Sequence, residues 1–158
     1  MSDALVRVLV TGSRTWPTSM LIDDVLSAYR RVMIRPDQSM LLVHGDAQGA
    51  DQMADRWAAS RLVEREPHPY MSEHGRAGGH IRNAYMVRLG AAVCLAFIYE
   101  RSAGASGCAA AAHAAGIPTW VWRGACPRNP ARRCSARCRH RWGQEVERGP
   151  EQLSVFPL

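Results

Sequence analysis

His44-Gly45-Asp46-Ala47-Gln48-Gly49-Ala50-Asp51 is the stretch whose reading decides the fold. The apolar run Leu41, Leu42, Val43 leads into it, and Met53, Ala54, Trp57 and Ala58 follow at helical spacing, so the segment reads as strand, glycine turn and helix start. In a parallel sheet that order places helix N-termini, with their unpaired N–H groups, at the C-terminal edge of the strands, where phosphates and other anions bind. The chain repeats the arrangement at Thr11-Gly12-Ser13-Arg14 and at Ser106-Gly107-Cys108.

Working outward, residues 5–11 read as a buried strand in which Val6, Val8 and Val10 alternate with Arg7 and Leu9. A helix capped by Thr18 or Ser19 extends to about Met33, with Leu21, Ile22, Val25, Leu26 and Tyr29 on one face. Residues 40–43 form the second strand and about 50–61 the second helix. Residues 62–66 read as a third strand, whose charges suit an edge, and 67–80 as a long loop rich in Gly, Pro and His, of the kind that carries function. A helix over 81–89, a central strand over 92–99, a loop over 100–106, a small-residue helix over 107–115 and a strand over 119–122 complete the pattern. The expected fold class is α/β, a Rossmann-like three-layer sandwich on a mainly parallel sheet, followed by a short irregular C-terminal extension. The expected division is a ligand-binding domain over 1–122 and an Arg/Cys-rich extension over 123–158.

Composition bounds the function classes. The chain has 158 residues, 47% hydrophobic and 22% charged, which suits one soluble domain with a sizeable core. No apolar run reaches membrane-span length and the N-terminus lacks the signature of a secretory signal, so a cytoplasmic protein with no membrane partner is expected. Every basic residue is arginine, which excludes Schiff-base chemistry and a lysine phosphate clamp. Residues 1–122 hold 12 Arg against 11 acids and residues 123–158 hold 8 against 3, so most of the net charge of +6 belongs to the extension. Five cysteines in a cytoplasmic chain argue against a disulfide framework. Cys94 reads as core packing, and Cys108, placed at a helix start, is expected to have a lowered thiol pKa.

The glycine turns allow sharp reversal and close approach of a ligand. Gly12 and Ser13 can present N–H groups and a hydroxyl, with Arg14 above them. Gly45 and Gly49 can let their loop wrap a phosphate or ribose, and Asp46 or Asp51 can accept from sugar hydroxyls. Asp51 can equally cap its own helix, and His44 can be a satisfied, partly buried histidine. Arg82 and Asn83 follow Gly78-Gly79 at a helix start and suit anion binding, and Ser106 and Gly107 complete the expected cradle. No residue stands out as catalytic.

Together, Thr11-Gly12-Ser13-Arg14, the stretch from His44 to Asp51, Gly79-x-x-Arg82-Asn83-x-x-Met86 and Ser106-Gly107-Cys108 resemble the SLOG superfamily of Rossmann-like proteins, in its YspA-like, cpYpsA-related branch. The resemblance spans roughly residues 5–122 and implies binding of nucleotides or nucleotide-derived ligands. It extends distantly to the lonely-guy phosphoribohydrolases, with Arg82 in the position of their helix arginine. Their Pro-Gly-Gly start is missing here, however, Cys108 replaces a Thr, and Ala111 stands where their catalytic Glu would be. The resemblance thus implies a ligand cradle without that chemistry.

In the extension, Cys126, Cys134, Cys138 and His140 supply three thiols and an imidazole, the donor set of a structural zinc site, although the usual Cys-x2-Cys knuckle is absent. Arg132, Arg133, Arg137, Arg139, Arg141 and Trp142 could hold nucleic acid by phosphate contacts and stacking. Three functions follow: sensing or sequestering a phosphorylated nucleotide derivative, hydrolysing its N-glycosidic or phosphate-ester bond through Asp46 or Asp51, or association with nucleic acid through the extension. A homo-oligomer is compatible with each.

Overall fold

Alternation along the first strand divides the molecule into layers. Val8 and Val10 point to one face of the sheet and Leu9 to the other, and all three are fully buried. The computed structural model describes residues 4–99, 101–125 and 143–147. Its elements in chain order are β1 (Ala4–Gly12), α1 (Met20–Met33), β2 (Gln38–His44), α2 (Ala50–Ser60), β3 (Glu64–Pro67), a 3-10 helix (Ser72–Ala77), α3 (Gly78–Arg88), β4 (Val93–Tyr99), α4 (Ala103–Ala114), β5 (Thr119–Ala125) and β6 (Gly143–Glu147).

The sheet runs β3-β2-β1-β4-β5-β6, with the first five strands parallel and β6 antiparallel on the β5 edge. Helices α1 and α2 cover one face, where Ile22, Val25, Leu26, Ala54 and Trp57 pack against Val8, Val10, Leu42, Leu95 and Phe97. Helices α3 and α4 cover the other face, where Met86, Val87, Cys108 and Ala112 meet Leu9, Leu41, Val43 and Cys94. Burying a Leu, Ile or Phe side chain contributes roughly 1.5–3 kcal/mol, so these two apolar layers dominate the stability of the sandwich. An aromatic column adds to the first layer: Trp16 meets Phe97 edge-on at 5.6 Å and Phe97 stacks on Trp122 at 5.1 Å. The expected three-layer, mainly parallel α/β fold is the observed one.

Strand order reverses between β1 and β4, whose chains leave the sheet toward opposite faces. In open α/β sheets the crevice at such a switch point is where ligands bind. Here it lies between the ends of β1 (Gly12) and β4 (Tyr99), which pair through Gly12 and Phe97.

Several boundaries differ from the sequence reading. Helix α4 starts at Ala103 rather than 107, because Ala105, Cys108, Ala109 and Ala112 form one buried stripe that carries the helix through Gly104 and Gly107 despite their poor propensity. Helix α3 starts at Gly78, three residues early, and is preceded by the 3-10 turn inside the expected loop. Strand β5 runs past residue 122 to Ala125, and the extension contributes β6 to the sheet. The zinc set expected at Cys126, Cys134, Cys138 and His140, and the arginines from 132 to 141 with Trp142, lie outside the described residues.

Edge strand β3 is held by charge rather than by apolar burial. From β1, Arg7 donates both terminal nitrogens to the two oxygens of Glu66 at 2.7 Å each and its Nε to the Gly90 carbonyl at 3.0 Å. Glu66 Oε1 also lies 2.7 Å from His68 Nε2. The Arg7 guanidinium, with His68, holds the Glu66 carboxyl down at about 2. Such a bidentate pair fixes orientation as well as energy.

Candidate functional site

The turn from His44 to Asp51 is bonded to itself and to its neighbour. Fully buried His44 accepts the Asp46 N–H on Nδ1 at 3.1 Å, which makes Nε2 the protonated nitrogen, and Nε2 donates to Asp55 at 3.0 Å. Burial lowers the His44 pKa, against the pull of Asp55, so the imidazole is a neutral strut. The Gly45 N–H donates to Asp51 Oδ2 at 2.9 Å, the Ala50 N–H to the Ser13 carbonyl at 3.2 Å and the Gln52 N–H to the Ala47 carbonyl at 3.2 Å. Much of the first turn of α2 is therefore spent on the protein itself. Asp51 caps no part of its own helix; it reaches back to the end of β2.

The glycines of the turns serve close packing of chain on chain. A Cβ at Gly12 would collide with Ala50 and the Phe97 carbonyl, one at Gly45 with the Arg82 guanidinium, and one at Gly49 with the carbonyl oxygens of Ser13 and Arg14. Gly49 also has φ +80°, a left-handed conformation that favours glycine. Gly49→Ala is expected to destabilise by at least about 2 kcal/mol. Gly107, one turn inside α4 with open space around it, is the matched control: Gly107→Ala is expected to stabilise by about 0.5–1 kcal/mol. Denaturant midpoints of the two variants check both signs.

Above this scaffold lies a cavity of about 380 Å3 at the β1/β4 switch point. That volume lies within the range of small-molecule sites. Gly12, Ser13, Arg14, Asp51, Arg82 and Asn83 line it, six of the expected cradle residues. Gly45, Asp46, Gly49, Ser106 and Gly107 do not: the first and third sit behind the wall, Asp46 is exposed, and Ser106 and Gly107 fall inside α4. The Ser106 N–H donates to the Ser102 carbonyl at 2.9 Å as an ordinary helical bond. In their place Ser102, Gly104 and Ala105, the true start of α4, face the cavity. The N–H groups of Ala103, Gly104 and Ala105 have no partner among the described residues, and no side chain caps this helix.

Ser13 is more anchor than ligand contact. Its hydroxyl donates to the Tyr99 carbonyl at 3.1 Å and accepts the Tyr99 N–H at 2.7 Å, tying the ends of β1 and β4 together. Buried Arg82 donates Nε to Asn83 Oδ1 at 2.7 Å and Nη1 to the carbonyls of Gly45 and of His68, the latter at 2.8 Å. Asn83 in turn donates to the Gly104 carbonyl at 3.2 Å. These two residues thus join the β2 turn, the segment after β3 and the start of α4.

Asp51 carries the most perturbed carboxyl of the site. It is 4% exposed, its Oδ1 has no hydrogen-bond partner, and it forms no ion pair among the described residues. Burial pushes its pKa up to about 7, although Arg82 and the N–H groups of Gly45, Ala47 and Gly12 pull it down.

Sequence reading missed Arg76, Arg101, His80 and Tyr70, which also line the cavity. Arg76 and Tyr70 come from the 67–80 segment already suspected of function, and Arg101 follows β4 directly, which was the available signal. Exposed Arg14, Arg76 and Arg101 make no hydrogen bond or ion pair among the described residues. Cys108 corrects a second expectation: it is buried mid-helix rather than at a helix start, and burial pushes its thiol up to about 11. Cys94 is core, as expected. No group of three or more His, Cys, Asp or Glu among the described residues could hold a metal ion, and no helix there is long and apolar enough to cross a membrane.

Comparison with known proteins gives two findings. The model of the YspA, cpYpsA-related SLOG family matches residues 6–74, which include the turns at 12–14 and 44–51. The Gene 61 protein of Mycobacterium phage D29 is 42% identical over 118 residues, covering 71% of this chain and 92% of that protein. No solved structure matches.

Proposed function

Because the chain belongs to the YspA, cpYpsA-related SLOG family, we propose that it binds a phosphorylated nucleotide or nucleotide-derived ligand at the β1/β4 switch point, as a sensing or sequestering module. The observation that carries this reading is the set of three uncommitted guanidiniums, Arg14, Arg76 and Arg101, around an uncapped helix N-terminus at α4. Anionic ligands are stabilised there by charge-assisted hydrogen bonds and by the helix dipole. Arg82 underpins the cradle, and Asp51 is the carboxylate in the cavity lining that would accept from a sugar hydroxyl. Tyr70, about half exposed at the rim, offers a flat face to a base.

Titration calorimetry with a panel of adenosine and guanosine phosphates tests this. Saturable binding is expected, weakened about tenfold in Arg101→Ala by loss of one charge-assisted contact. A panel that shows no binding at all would sink the proposal.

One observation favours a second reading, hydrolysis of the same ligand. A buried carboxyl with a pKa of about 7 beside a cavity is what general acid–base catalysis requires, and Asp51 has it, whereas exposed Asp46 lies away from the cavity. Release of base or phosphate from the bound nucleotide, lost in Asp51→Asn, would favour this reading over sensing.

A further inference from the structure

We propose that residues 69–77 form a lid over the switch-point cavity, seated on the glycine pair that opens α3 and lifting as a unit while the rest of the fold stays closed. This rests on reading the cavity as a ligand site and adds how that site opens and shuts.

Both ends of the segment are pinned. At its start the His68 N–H donates to the His44 carbonyl at 2.8 Å, and the His68 carbonyl accepts from Arg82 Nη1 at 2.8 Å. The His68 ring meets Tyr85 edge-on at 5.5 Å and lies 2.7 Å from Glu66. At its end, buried Gly78 begins α3. Between these anchors no residue is buried, and only Met71 is half-buried. Its hydrogen bonds among the described residues are local. The His74 N–H donates to the Met71 carbonyl at 3.1 Å, and the Tyr70 hydroxyl and the Gly78 N–H both donate to the Gly75 carbonyl. Gly75 itself, at φ +52° with open space around it, breaks the 3-10 helix in two. A stretch with firm ends, local hydrogen bonds and little buried surface opens at a much lower free energy than the core.

What holds the segment shut is its seat. Gly78 and Gly79 stand in the first turn of α3, where glycine is the poorer helix former. A Cβ at Gly78 would run into the Met71 carbonyl and crowd the Tyr70 ring, so the segment lies directly on that Cα. At Gly79 a Cβ would stop 3.6 Å from the Tyr70 ring, an ordinary contact. Seated in this way, the segment places Tyr70 and Arg76 in the cavity wall. Lifting carries both side chains off the cavity and leaves Arg14, Arg82 and Arg101, which come from other elements, in place. Closure over a bound ligand excludes water, which strengthens the charge-assisted contacts inside.

The test is hydrogen exchange of the full chain, followed by mass spectrometry over 69–77, in wild type and in the matched variants Gly78→Ala and Gly79→Ala. Both changes favour the helix. Only Gly78→Ala drives a Cβ against backbone, so there the segment is expected to leave its seat and its exchange to quicken at least about tenfold. Gly79→Ala is expected to exchange like wild type, and both variants to keep or exceed the wild-type Tm. ADP at a concentration far above its Kd, with binding followed by calorimetry, is expected to slow exchange over the segment at least about tenfold. Equal exchange in the two variants overturns the lid, because the seat then holds nothing. A Tm lowered together with faster exchange in Gly78→Ala overturns it as well, because the segment then belongs to the cooperative core. Bound ADP that leaves exchange over 69–77 unchanged overturns the lid with nucleotide binding intact. If no nucleotide binds, the nucleotide reading falls, and the glycine pair alone decides the lid.

Discussion

In Asp51→Asn, the decline of stability between about pH 4 and about pH 7 is expected to flatten. The carboxyl ionises at 3.8 in the unfolded chain and at about 7 in the folded one, because burial outweighs Arg82 and the three nearby N–H groups. The folded state therefore binds its proton more tightly. Stability from this group is fully present below the unfolded pKa and is lost as pH rises through the folded one. The loss amounts to about 4 kcal/mol at 1.36 kcal/mol per unit. Asparagine keeps the shape and can still accept the Gly45 N–H, but it has no proton to lose. Its amide meets no partner where Oδ1 stands, at a pH-independent cost of about 1–3 kcal/mol. The variant is thus expected to be the less stable chain at pH 4 and the more stable one at pH 8. Urea midpoints across that range measure the crossing. Parallel profiles for the two proteins would mean that Asp51 stays ionised in the fold.

The Glu66 linkage runs the other way and cancels in this comparison. Its carboxyl is held at about 2 in the fold, so its contribution is present above 4.5 and fades as pH falls toward 2.

Arg82→Ala is expected to have the largest effect at fixed pH. The side chain is 7% exposed and donates to Asn83 and to the carbonyls of Gly45 and His68. Truncation strands three acceptors, two of them buried, removes the charge that partly offsets Asp51 and opens a void under Gly45. A loss of about 3–5 kcal/mol follows, or roughly 10 °C in Tm for a chain of this size. Arg82→Lys keeps the charge, but one ammonium cannot reproduce the planar fork that meets Asn83 and both carbonyls. It is expected to fold with intermediate stability and to bind nucleotide more weakly. Thermal unfolding and calorimetry on both variants separate the structural role from the contact role. Wild-type stability in Arg82→Ala would show that the fork carries little.

Much of this was legible in the chain. Strands β1, β2 and β4 announce themselves as apolar runs, α1 and α2 as 3.6-residue stripes, and β3 as an edge through its charges. The switch-point site was legible in outline, since Gly12, Ser13, Arg14, Asp51, Arg82 and Asn83 meet at one cavity. The start of α4 was not, because Gly104 and Gly107 look like loop residues until packing of Ala105 and Cys108 decides otherwise. That shift of one turn removes Ser106 and Gly107 from the cavity and brings in Ser102 and Gly104. Arg76 and Arg101 were missed because a surface arginine has no pattern of its own.

What the sequence by itself determined is the order of strands, turns and helices, and with it the parallel sheet whose C-terminal edge gathers the turns. Local preferences and the period of apolar residues act between near neighbours, so they are written along the chain. The tertiary structure alone decided what each residue of the opening octapeptide does. Gly45 makes room for Arg82, Gly49 for the first turn, and Asp51 reaches back to Gly45 instead of capping its helix. Those roles depend on contacts between segments tens of residues apart, and on a burial that moves one carboxyl by about three pH units. The stretch that announces the fold is the site's scaffold, and the cations that face the cavity come from elsewhere.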